Sequence, residues 1–267
     1  MAALYVYGYR VAMLLAGGGV LWLADTGTNF YDYTAWSNTY KYMALAMIPA
    51  IITVLFLHEP ATPLKKYHGM KNWLRQAFIA PFKDFYLRYG KALVYLAVVV
   101  LTFRISDILM SVMANPFYIE MGFTKTEIAT AVKIFGFAMT LIGLAVGGML
   151  TPIMGLRNTM ILACLLSSGT NVLFSVLAVL GNDVAFLTFI ISADNLSAGI
   201  ATSSFVAYLS SLVNKEFSAT QYALLSSIII IIPKFLAGFS GVIVENIGCA
   251  TFFTGTALVG MPTVLFI

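Results

Sequence analysis

The chain has 267 residues, of which 60% are hydrophobic and 10% charged, with a net charge of +4. Soluble domains carry roughly 45–50% apolar and 25% charged residues, so this composition excludes an ordinary soluble fold. The mean hydropathy of +0.92 points to lipid as the solvent, and the cations sit between or beside apolar stretches, which argues against nucleic acid as a partner.

In chain order, eight stretches are long enough for the ~20 residues that a helix needs to cross the hydrocarbon of a bilayer. They run approximately 4–24, 36–57, 93–114, 128–150, 159–181, 184–212, 222–244 and 249–267. Unpaired backbone groups cost several kcal/mol in lipid, so such stretches must span as helices. The expected class is an all-α polytopic membrane protein of about eight transmembrane helices. The first stretch has no basic run before it and no small-residue cleavage site, so it is expected to remain as a span.

Spans one and two are joined by a polar loop around Asp25 to Ser37, whose Trp22, Tyr31, Tyr33 and Trp36 suit an interfacial belt. From Glu59 to Lys91 the pattern changes: this stretch is basic, carries Pro60, Pro63 and Pro81, and contains a short amphipathic helix over Pro81 to Tyr89 that is expected to lie on the membrane face. Three segments follow: 1–58 with two spans, 59–92 as a cytoplasmic basic linker, and 93–267 as a six-helix bundle. With the N-terminus inside, ten cations (Arg10, Lys65, Lys66, Lys71, Arg75, Lys83, Arg88, Lys91, Arg157 and Lys215) are cytoplasmic. Only Lys41 and Lys125 are then outside, which is the positive-inside pattern.

Five ionisable residues fall inside expected spans: Arg104, Asp107, Lys133, Asp194 and Lys234. At about 3 kcal/mol each on insertion scales they must face one another, water or a solute. Arg104 and Asp107 are three apart and share a helix face. Lys133 stands near the outer end of its span and could snorkel. Asp194 and Lys234 lie near mid-depth of successive spans, where an interhelical pair is plausible. Three cations against two anions leave one positive charge, which would suit an anionic solute, while a carboxylate of raised pKa could carry a proton. Structural ion pairs that lock the bundle are the competing reading. Pro233 beside Lys234 interrupts the hydrogen-bond ladder at mid-membrane, as near a binding site or in an ordinary kink.

The remaining features point to packing. Gly143 with Gly147, and Ala237 with Gly241, have the small-residue spacing of closely approaching helices. Gly17 to Gly19 lies inside an apolar span, unlike a phosphate cradle. Cys164 and Cys249 read as buried free thiols, and His58 and His68 as surface residues rather than metal ligands. Neither a cofactor nor a metal is expected, and no nucleophile, base and orienting group recur at a useful spacing, so an enzyme is the least favoured class.

Two segments carry a family resemblance. Asp194 to Leu209 and, more specifically, Asn214 to Ser227 (Asn-Lys-Glu-Phe-Ser-Ala-Thr-Gln-Tyr-Ala-Leu-Leu-Ser-Ser) strongly resemble AmpG-type muropeptide permeases of the major facilitator superfamily. Gly8 to Met13 looks like the start of that family's fifth helix, Arg104 to Asp107 like its charged seventh-helix motif, and Lys133 to Gly136 like its eighth. The resemblance implies proton-driven import of anhydro-muropeptides, products of cell-wall turnover, across a bacterial inner membrane. The candidates for the substrate or proton pathway are Arg104, Asp107, Lys133, Asp194, Asn195 and Lys234. Related acetyl-CoA transporters leave another anionic solute as an alternative. The loop Gly148 to Arg157 keeps the glycine and arginine spacing of the superfamily's cytoplasmic motif but has Pro152 where an acidic residue is usual.

Two spans, a linker and six spans would then correspond to a major-facilitator-type bundle without its first four helices, and the end at Ile267 looks clipped. The expectation is that this polypeptide alone does not catalyse uptake, and that the missing N-terminal half is either a separate partner chain or lost, which would leave a non-transporting remnant.

Overall fold

The computed structural model describes residues 2–24, 32–57 and 69–267, and these divide into two compact units, Ala3–His68 and Gly69–Ile267. The His58 and His68 readings, Asp25, Tyr31 and the first part of the expected linker lie outside the described residues.

In the first unit, α1 (Ala2–Leu14) and α2 (Val20–Ala24) are joined by a π turn, Leu15–Gly19. The expected span 4–24 is therefore helical, but with its ladder widened at the three consecutive glycines, whose backbone freedom tolerates the change. It is not one of the seven helices that are long and apolar enough to cross a membrane among the described residues. Those seven match the other seven expected spans. The next two helices, α3 (Tyr33–Ala46) and α4 (Ile48–Phe56), form the first of them, Tyr33–Phe56. Asp32 caps α3, its side chain accepting from the amides of Thr34 at 2.8 Å and Ala35 at 3.3 Å.

The second unit begins with α5 (Met70–Leu74), a π turn over Arg75–Ile79, and α6 (Ala80–Tyr89). The amphipathic helix is thus longer than the sequence suggested. It packs against the following helices through Pro81 and Phe85, which are buried. Gly90, at φ 48°, turns the chain into α7 (Ala92–Thr102). There follow α8 (Ile105–Glu120), α9 (Lys125–Ala129), a π segment Thr130–Gly136, α10 (Phe137–Met154), α11 (Leu156–Leu180), α12 (Val184–Leu212), α13 (Ser218–Ala237), α14 (Ser240–Ile247) and α15 (Cys249–Phe266). Six of the seven apolar spans lie here: α7 with α8, α9 through α10, α11, α12, α13 with α14, and α15. Gly155 at φ 83° makes the one-residue turn between α10 and α11, a backbone state that a side chain would strain.

The tightest packing in the unit joins α10 to α12. A β-carbon placed on Gly143 would overlap the Leu196 carbonyl oxygen, and one on Gly147 would lie 2.9 Å from the Ile200 Cα. On the other side, one on Gly199 would lie 2.6 Å from the Thr140 carbonyl oxygen. This G-x-x-x-G spacing therefore does bring two backbones together, as small residues do between membrane helices. The Ala237–Gly241 spacing does not: Ala237 is buried, but a β-carbon on Gly241 would meet nothing within 4 Å. Pro233 also does not end α13, which continues through it to Ala237 before the break at Gly238 and Phe239.

Side chains of the bundle are layered along the helix axes. One apolar cluster gathers Val99, Val100, Phe103, Met160, Ile200, Phe205, Leu209 and Ile229. A second gathers Met110, Phe117, Phe174, Leu177, Leu187, Ile190 and Phe253. Between them, on each of α8, α11, α12 and α15, the sequence turns polar: Ser106 and Asp107, Ser167 to Asn171, Asp194 and Asn195, and Thr256. A polar belt thus crosses the interior of a helical bundle whose two ends are greasy.

Candidate functional site

The polar belt is centred on a broken helix. α7 stops at Thr102 and α8 starts at Ile105; Phe103 and Arg104 lie between them, Arg104 at φ −107° and ψ −2°. Arg104 follows the C-terminus of one half-helix, where carbonyls carry partial negative charge. Asp107 stands in the first turn of the next, where amides carry partial positive charge.

Arg104 Nη1 lies 3.3 Å from Asp107 Oδ2 and donates to Thr202 Oγ1 at 3.3 Å. The other Asp107 oxygen accepts a hydrogen bond from Ser167. The side chains of the pair are 25% and 17% exposed, so they border a space rather than being sealed. Asp194, on α12, accepts from Thr170 Oγ1 at 3.1 Å. Asn195 accepts from Thr140 Oγ1 at 2.9 Å and donates to the Ile191 carbonyl at 2.8 Å. Deeper in, Asn171 donates to Ser106 Oγ at 2.7 Å, and Ser106 donates to the Thr256 carbonyl at 2.7 Å. Asn171 Oδ1 is buried without a hydrogen-bond partner.

Arg104, Asp107, Asp194 and Asn195 line one cavity of about 280 Å³. Ser111, Asn115 and Tyr118 extend its wall along α8 towards Glu120, and Val132 and Ile191 supply apolar wall. Four of the six residues singled out from the sequence are therefore brought together. Lys133 and Lys234 are not: both are exposed, and neither lines the cavity. The expected Asp194–Lys234 pair is not formed, since Asp194 turns to Thr170 instead.

This changes the electrostatic reading. With Lys133 and Lys234 elsewhere, the cavity holds one guanidinium against two carboxylates, so the expected surplus of positive charge is absent when both acids are ionised. Sequence reasoning missed Ser111, Asn115, Thr170 and Ser167. Serine, threonine and asparagine are ordinary residues of membrane helices, and only their place in the cavity wall or in hydrogen bonds to Asp107 and Asp194 distinguishes these ones.

No family model matches the chain. Among curated proteins, the chain is 34% identical over its whole length to the AmpG 4 protein of Rickettsia conorii and covers 63% of that protein. It is 31% identical, again over its whole length, to the anhydromuropeptide permease of Escherichia coli, of which it covers 52%. It is 28% identical to the AmpG 1 protein of Rickettsia felis, covering 66%. The chain thus spans between 52% and 66% of the length of these relatives. The similarity runs through the helices that build the cavity as well as those that frame it, so along its whole length the chain is similar to AmpG-type transporters.

Proposed function

We propose that the chain forms the solute-handling bundle of a secondary transporter in a bacterial inner membrane, importing an anhydromuropeptide-type solute with protons. The observation that carries this reading is the Arg104–Asp107–Asp194 cavity at a helix break, in a chain similar along its whole length to proteins named as permeases and AmpG transporters. Discontinuous helices whose ends face a buried site are a recurring way for transporters to present backbone dipoles to charged cargo.

Charge balance suggests how the cavity works. One guanidinium neutralises one carboxylate, so the second is most easily kept in an apolar bundle by a proton. Asp194 is the better carrier, because its hydrogen-bond donor is the neutral Thr170 hydroxyl whereas Asp107 has Arg104 itself. A second proton reaching Asp107 would release Arg104 to take a carboxylate of the solute in a charge-assisted, two-pronged hydrogen bond. Asn195, Asn115 and Ser111 would meet its neutral polar groups. The relatives are longer, and the proposal includes a companion segment, in cis or as a separate chain, that supplies the opposite wall of the pathway.

The test is uptake of radiolabelled anhydromuropeptide into cells lacking their own permease. The cells would express the chain alone or together with the N-terminal segment of a relative. Accumulation that needs an acid exterior and is lost in Arg104→Gln and Asp194→Asn supports the proposal. Accumulation indifferent to both substitutions refutes the assigned site.

A further inference from the structure

The helix from Met70 to Tyr89 has two faces, and only one is accounted for by the bundle. Gln76, Ala77, Ala80, Pro81, Asp84, Phe85 and Tyr89 are buried or half-buried on the inner side. Between them recur exposed residues in pairs: Leu74 and Arg75, Phe78 and Ile79, Phe82 and Lys83, Tyr86 and Leu87. Six of these eight are large and apolar, from 44% exposed at Leu74 to 70% at Leu87. The other two, and Lys71 one turn earlier, are cationic. The helix's single acidic residue, Asp84, points the other way, into hydrogen bonds with Asn214 and Gln221.

The inner face also fixes the depth at which this outer face sits. Arg88 and Tyr89 both donate to the carbonyl of Leu212, the last residue of α12, and Gln221 in the first turns of α13 donates to the Pro81 carbonyl. The helix is therefore held level with the ends of two membrane spans, which is headgroup depth, and α7 enters the bilayer only three residues after Tyr89. At that depth an apolar and cationic surface free of acids matches the chemistry of an anionic lipid monolayer: acyl chain and glycerol against the rings, phosphate against the cations.

We propose that the outer face of Met70–Tyr89 is a docking surface for anionic phospholipid, with Lys71, Arg75 and Lys83 as the phosphate-binding residues and Phe78, Phe82 and Tyr86 as the wedge between headgroups. The rigid hold on the inner face sets the roll of the helix, so lipid binding here bears on the α12–α13 junction. This inference does not depend on which solute the bundle carries.

The experiment uses the full chain in nanodiscs, with a nitroxide attached at Phe82→Cys in a Cys164→Ser, Cys249→Ser background. Collision with oxygen, which partitions into lipid, is compared with collision with an aqueous nickel chelate. Nanodiscs rich in phosphatidylglycerol should raise the oxygen-to-nickel ratio severalfold over nanodiscs of phosphatidylcholine. The Lys71→Gln, Arg75→Gln, Lys83→Gln variant should abolish that difference while melting in detergent like its parent, since the inner face is untouched. A water-like ratio in both lipids overturns the proposal. So does a label shielded from both quenchers whatever the lipid charge, which would mean that protein covers this face.

Discussion

Gln221 donates to Asp84 at 2.8 Å across 137 residues of sequence. The same amide donates to the Pro81 carbonyl at 3.0 Å and accepts from Asn214 N at 2.8 Å and Arg88 Nη2 at 3.1 Å. The segment Asn214 to Ser227, which carries the strongest part of the resemblance read from the sequence, thus contains the socket for the amphipathic helix. Gln221 is 1% exposed, so Gln221→Ala leaves buried partners unsatisfied. We expect a loss of about 2–3 kcal/mol of stability, read as an earlier thermal transition in detergent, and faster amide exchange over Ala80–Tyr89. Unchanged exchange there would contradict the assignment.

Acid should loosen the same contact. Burial pushes the Asp84 carboxyl up, but hydrogen bonds from Gln221 and Asn214 and the Arg88 guanidinium outweigh it and hold the group below its ordinary 3.8. A depressed carboxylate stabilises the folded state above the unfolded value, and that contribution is lost as pH falls through the folded one. Exchange over Ala80–Tyr89 should therefore rise only below about pH 4, and Asp84→Asn should remove the dependence.

Close approach of α10 and α12 gives a sharper contrast. Gly143→Ala forces a methyl into the Leu196 backbone, and overpacking of this kind costs typically 1–3 kcal/mol. Gly241→Ala adds a methyl where nothing lies within 4 Å and should leave the thermal transition within about 0.5 kcal/mol of the parent. Equal effects in the two variants would show that the helices are not so tightly joined.

Much of this could be read from residue patterns, for identifiable reasons. A hydrophobic run the length of a bilayer has few alternatives to a helix, so seven spans were legible. Arg104 and Asp107 were legible as a pair because three residues of separation is a local relationship. The Asp194–Lys234 expectation failed because it rested on similar depth, and depth leaves rotation about the helix axis undetermined: Asp194 faces α11 and the cavity, while Lys234 is exposed. The π segments at Leu15–Gly19, Arg75–Ile79 and Thr130–Gly136 left no signal in the periodicity. Each adds one residue to a turn, and the last of them accompanies the outward placement of Lys133. The inner face of the amphipathic helix was hidden because its partners, Asn214 and Gln221, are more than 120 residues away.

The two cations outside the cavity supply an internal control. Arg104→Gln leaves Asp107 and Asp194 without a cation in a half-buried space, so it should impair solute binding at least tenfold, as loss of a charge-assisted contact of about 1.5–3 kcal/mol implies. Lys234→Gln and Lys133→Gln alter exposed residues and should change binding less than about twofold. Equal losses at all three positions would mean that the solute senses the bundle's overall charge rather than the cavity.

The most direct measurement of the central claim is solute protection of the cavity wall. Ser111→Cys, in the Cys164→Ser, Cys249→Ser background, places a single thiol in the cavity beside Asp107 and Asn115, and its rate of alkylation by a small polar maleimide can be followed in membranes. The account expects anhydromuropeptide to slow this reaction in a saturable way, and Arg104→Gln to abolish the protection. A rate that saturating solute leaves unchanged, with the thiol freely reactive, would contradict the assignment of this cavity as the solute site.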